Sequence, residues 1–252
     1  MVNKVLLNNV DHADLKLSIR HGAEFGDDVN QMLVFPTEFE ELQREFPIFF
    51  RKDADGAFHS VVLLGLDKDE NLLLDENGWR TRYVPAIQQR GPFSIAVQER
   101  QIDGEVRRDP VVHIDLDDPR VSQTEGEPIF LPQGGNSPHL KHVTRVLQAI
   151  HTGLEMNQPM FAAFEEMDLI EPVRLELKLS ETEQYVIPDR YTIGADKLAA
   201  LDGSRLERLH AGGFLSAAFH VASSLGNVSR LIELKNVKRA TEQAAASSRG
   251  GG

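Results

Sequence analysis

The chain contains no cysteine. Disulfides, thiolate zinc sites and cysteine nucleophiles are excluded together. The absence fits a reducing compartment, so the expected location is cytoplasmic. No run of 18 apolar residues occurs, which excludes a membrane-spanning helix. The opening ten residues hold one lysine and one short apolar patch, Val5 to Leu7, too short for the core of a signal peptide. No basic stripe interleaved with aromatics is present. The balance of 27 basic against 39 acidic residues leaves a net charge of −12, a field that repels phosphate backbones and argues against nucleic-acid partners. There is no Gly-x-Ser-x-Gly elbow, no Walker loop and no GxGxxG after a strand.

What is present is an ordinary globular composition. Of 252 residues, 41% are apolar, enough for a sizeable core. The N-terminal half alternates short apolar runs with turn signals. Met32 to Phe35 is an apolar run entered by a turn, and Pro36-Thr37 reads as a helix start, with Thr37 and Glu40 at capping-box spacing. Ile48 to Phe50, Phe58 to Leu66 and Leu72 to Leu74 are separated by Asp- and Gly-rich turns, a meander of antiparallel strands. Pro85 opens a short helix reaching Arg90, and Phe93 to Gln98 is a strand. Gln101 to Pro128 carries eight acidic residues around one strand, Val111 to Leu116.

From Asn136 the pattern turns helical. Leu140, Val143, Val146, Leu147, Ile150 and Leu154 recur at three- and four-residue steps, with Pro138 at the first helical position. A separate helix is expected from Pro159 to Met167. Val173 to Leu179 alternates as a half-buried strand, extended by Gln184 to Ile187 and Tyr191 to Ile193. Helices return from Ala195 to about Lys238. The expected fold class is α+β: a mainly antiparallel sheet in the N-terminal half packed with C-terminal helices. It forms a single domain over residues 1–238, followed by a disordered Ala/Ser/Gly-rich tail, 239–252.

An ordered set of phrases spans the chain: Phe46-Pro47-Ile48, Leu64-Gly65-Leu66, Glu70-Asn71-Leu72, Tyr83-Val84-Pro85, Gly91-Pro92-Phe93, the run Ile114 to Ser122, Glu125 to Phe130, Phe161 to Phe164, Gly212-Gly213-Phe214 and Ser224 to Asn227. Together these resemble the SapC-like family of bacterial proteins over about residues 10 to 236. The resemblance implies a soluble accessory or ligand-binding protein. It also implies links to TonB-dependent uptake, and flavin-dependent tryptophan-halogenase-like or cupin-like partners. Its ligand would be a peptide, an amino acid or another small compound. It implies no catalytic residues, and relatives carry a small residue where this chain has His113.

Two clusters could carry chemistry. His113 and Asp115 fall on one face of a strand, as two ligands of an iron(II) oxygenase do. His220 is the formal third ligand, with Arg230 placed to hold an oxoacid. The same pair also reads as a strand residue satisfied by a neighbouring carboxylate. A polar ligand site is the leading expectation: His113, Asp115, Asp117, Asp118, Arg120, Glu125 and Glu127, with Trp79 and Tyr83 as stacking surfaces. Asp-Asp-Pro is also ordinary turn chemistry. His139 and His142 sit one helical turn apart. Gly134-Gly135-Asn136 before a helix suits anion binding at the helix N-terminus. A structural partner protein without its own ligand is the third reading.

Overall fold

The computed structural model describes residues 3–102, 105–178 and 184–249. In chain order, β1 (Lys4–Leu6) and β2 (Lys16–Leu17) precede β3 (Gln31–Leu33) and the single-turn α1 (Phe39–Leu42). Then come β4 (Ile48–Lys52), β5 (Phe58–Leu63), β6 (Leu74–Asp75), β7 (Gly78–Trp79) and α2 (Ala86–Gln89). A long hairpin, β8 (Phe93–Ile102) and β9 (Glu105–Asp115), is followed by β10 (Val121–Ser122) and β11 (Glu127–Pro128). The C-terminal half holds α3 (Pro138–Glu166), β12 (Ile170–Lys178), β13 (Gln184–Ile193), α4 (Ala195–Ala199), α5 (Gly203–Ala211), α6 (Leu215–Ser224) and α7 (Val228–Arg249).

The strands build one five-stranded antiparallel sheet, β12-β13-β4-β5-β3, and a three-stranded sheet, β1-β9-β8. A small sheet, β10-β2-β11, and the β6-β7 ribbon complete them. The fold class is α+β, as the sequence pattern predicts. The alternation at Val173, Arg174, Leu175 and Glu176 is reproduced as half-buried and exposed positions.

Two hydrophobic cores result. The larger gathers Phe39, Phe46, Phe49, Phe50 and Phe58 with the end of α3 and with Ala218 and Val221 of α6. Phe161 meets Phe50 edge-on at 4.8 Å and stacks on Phe58 at 5.4 Å. The smaller gathers Leu17, Phe93, Ile114 and Ile129 with Leu140, Val143 and Leu147. Helix α3 runs through both. At 1.5 Å per residue its 29 residues reach about 43 Å. Val146 and Ile150 at its middle meet Phe35 and Ala86, so α2 sits on the seam between the cores.

Four expectations need correction. The two helices expected around Pro159 are one. Proline removes a single backbone donor, and Met160, Phe161 and Phe164 bury enough surface to carry the helix past it. The capping interaction at Pro36 is made by Glu38, whose Oε1 accepts from Phe35 N at 3.0 Å, while Thr37 Oγ1 donates to Ala149 O. The acidic stretch before residue 115 is not a loop around a short strand, because β9 pairs with β8 from Glu105 onward. The expected C-terminal tail continues α7 to Arg249. Its side chains are largely exposed, so alanine's high helix propensity accounts for the extension.

Candidate functional site

The strand parity predicted for His113 and Asp115 holds. Ile114 between them is fully buried in the smaller core, and His113 lies between Leu6 of β1 and Ser94 of β8. The carboxylates nearby, however, serve the backbone or face outward. Asp115 Oδ1 accepts from Asn3 N at 2.9 Å and Asp117 N at 3.2 Å. Asp117, Glu125 and Glu127 lie at the surface. Trp79 Nε1 donates to Asp27, Tyr83 OH donates to Glu38, and both rings pack on the larger core.

The iron(II) arrangement does not form. His220 sits on α6, which packs on α1, β4 and β13, whereas His113 belongs to the sheet over the smaller core. Among the described residues no three His, Asp or Glu side chains gather where they could hold a metal ion. Arg230, expected near an oxoacid, pairs with Glu45 at 3.4 Å.

Arg120 is the predicted residue that reaches a cavity. Asp118 grips its Nε at 2.9 Å and Nη2 at 2.7 Å, a bidentate pair that fixes the guanidinium plane. Asp118 is held below the usual carboxylate range: burial opposes this, and the bonds from Arg120 outweigh it. Phe25 covers the other side, 5.3 Å from the guanidinium carbon. Ser18 N donates to Arg120 O at 2.9 Å, tying the turn to the end of β2. Among the described residues Nη1 has no hydrogen-bond partner, and it faces Gly91, whose φ of +54° turns the chain after α2.

There Arg120 lines a slot at the seam of the two cores, together with Arg20, His21, Gln88, Gln89 and His139. Among the described residues no Asp or Glu lines it. Its free volume is about 30 Å³, room for about two oxygen-sized atoms at roughly 10–15 Å³ each. Two imidazole nitrogens there are buried and unpartnered. His139 Nε2 has no hydrogen bond, and His21 Nδ1 is 3.4 Å from Asp27 Oδ2 without forming one. The latter contact is an orienting attraction, because its length is outside ordinary hydrogen-bond range. Burial lowers the His139 pKa; the charge of Glu127 opposes this and His142 adds to it. Arg90 lies close enough that the charge of Arg120, after burial, lowers its pKa, and its Nε is also buried without a partner.

Each element contributes for a local reason. Ser137 Oγ accepts from Leu140 N at 3.2 Å, capping α3 and setting His139 in its first turn. The positive end of that helix adds to the cationic field. Gln88 Nε2 donates to Gly26 O at 2.8 Å, and Gln89 Oε1 meets His142 Nε2 at 3.0 Å. Both glutamine side chains are therefore fixed. The sequence pattern places Arg120 in a ligand site and marks the α3 start for anions. It gives no sign of Arg20, His21, Gln88 or Gln89. These residues precede His139 by 50 to 119 positions, and no spacing in one chain signals that convergence.

Among the described residues no helix is long and apolar enough to cross a membrane. No curated protein and no solved structure matches the chain. A family model does match, over residues 7–231, from before the small sheet to the first turn of α7. The chain belongs to the SapC family.

Proposed function

We propose that this protein binds a small anionic ligand, and that the slot receives its carboxylate or a comparably small oxyanion. One observation carries the reading: the buried, unpartnered His21 Nδ1 and His139 Nε2, with Nη1 of the Asp118-held Arg120, border a free volume that, among the described residues, no carboxylate lines. Buried polar groups left without hydrogen bonds are costly unless a partner completes them. The free volume admits two oxygen atoms, so the rest of the ligand extends outside. This suits an accessory, ligand-binding role for an amino acid, peptide or other carboxylate-bearing compound.

Thermal unfolding with formate or acetate against chloride at constant ionic strength tests it. At a hundredfold excess over Kd, a ligand specific for the folded state adds about 2.7 kcal/mol. That raises Tm by roughly 5–10 °C for a chain of this length. His139→Ala and Arg20→Gln each reduce the shift. Equal effects of formate and chloride, or a shift unchanged in both variants, reject the proposal.

A further inference from the structure

A second cationic feature lies on the five-stranded sheet, away from the slot. Tyr191 of β13 pairs with Phe50 of β4, so antiparallel register sets Arg190 opposite Arg51. Like charges directly opposite on neighbouring strands repel. Among the described residues the Arg51 side chain has no ion pair or hydrogen bond. Arg190 Nη2 donates to Gln31 Oε1 at 2.8 Å and Nη1 to two nearby carbonyls, while its Nε is buried without a partner. Burial and the charge of Arg51 lower the Arg190 pKa, and Asp189 partly compensates.

Two clefts meet at Arg51. One, of about 350 Å³, is walled by Arg51, Lys52, Asp189, Arg190 and Tyr191. The other, of about 400 Å³, crosses Leu33, Val61 and His59. Both share Gln31 and Arg51. Asp53 also lines the second cleft, where His59 engages it at 2.7 Å. Leu33 opposes Val61 across β3 and β5, forming an apolar strip that is exposed at Leu33. The combined size falls within the roughly 300–1,000 Å³ of small-molecule sites.

We propose that this cleft is a separate binding site for an organic acid. Its carboxylate bridges Arg51 and Arg190, and its apolar body lies along Leu33 and Val61. The carboxylate adds counter-charge to a guanidinium pair that Asp189 only partly offsets, in the planar geometry they favour.

The test uses the full chain with 4-phenylbutyrate, 4-phenylbutan-1-ol and inorganic phosphate as probes. Binding is followed calorimetrically and by NMR of the arginine Nε–H signals. The acid binds saturably and shifts the Arg51 and Arg190 signals, while the alcohol and phosphate bind at least about tenfold more weakly. Arg51→Gln and Arg190→Gln each weaken the acid by roughly tenfold or more. Leu33→Asn weakens it severalfold. Equal binding of acid and alcohol, or of acid and phosphate, overturns the proposal. So does undiminished affinity in the folded arginine variants, checked by unchanged far-UV circular dichroism.

Discussion

Lys235→Met should cost this protein about 3 kcal/mol. Glu70 is only 4% exposed, and Lys235 only 5%. Glu70 Oε1 accepts from Lys235 at 2.7 Å and from Lys238 at 2.9 Å, and Oε2 accepts from the amides of Leu66 and Asp67. Lys235 also donates to Asp67. These bonds outweigh burial and bring the Glu70 pKa down to about 2 from 4.5. A depression of about 2.5 units corresponds to roughly 3 kcal/mol. Removing one partner of a buried pair costs roughly 3–5 kcal/mol, and Lys238 remains to hold part of the charge, which favours the lower figure. Urea unfolding at pH 7 should show a lower midpoint with an unchanged slope, and Glu70→Gln in the same background should restore most of the loss. The sign follows from a lowered carboxylate pKa. The contribution is present above pH 4.5 and is lost as pH falls toward 2, a loss the Lys235→Met protein should show only weakly. A cost below about 1 kcal/mol, the level of an exposed pair, would refute the reasoning.

Glu38 makes the opposite prediction. It is equally buried, but its partners, Phe35 N, Ala86 N and Tyr83 OH, are neutral donors. Burial therefore prevails and pushes its pKa up to about 7. A raised pKa means full stability below pH 4.5 and a loss of about 3 kcal/mol as pH rises through 7. Denaturant midpoints measured from about pH 4.5 to 8.5 should show that slope in the wild type and lack it in Glu38→Gln; parallel profiles refute it. Gly126 has φ +103°, and a Cβ there would stand 2.5 Å from the Leu17 carbonyl. Gly126→Ala should cost at least roughly 2 kcal/mol and lower Tm, and a Tm within error of wild type contradicts the turn geometry.

The sequence is most legible where one periodicity dominates. Pro138 and the apolar steps from Leu140 to Ile150 mark the start and buried face of α3, because a single helix repeats its own geometry. They cannot say that the helix passes Pro159, since that depends on the aromatic packing of Phe161 against Phe50 and Phe58. At the candidate site, the acidic neighbours of Arg120 draw attention to it as fellow ligand residues. In the folded chain they act on the protein itself: Asp118 aims the guanidinium, and Asp115 closes the turn that delivers it. The two buried glutamates carry the same limit. Nothing local distinguishes Glu38 from Glu70, because the two lysines that separate their behaviour arrive from α7, 165 and 168 positions beyond Glu70.

The most direct test of the anion slot is the imidazole pKa of His139, followed by NMR with and without formate. In the free protein burial and His142 hold it below the ordinary value, against Glu127. An anion seated between Arg120 and His139 stabilises the imidazolium, so a clear upward shift is expected on saturation. Titration curves for His139 that superimpose with and without formate would contradict it.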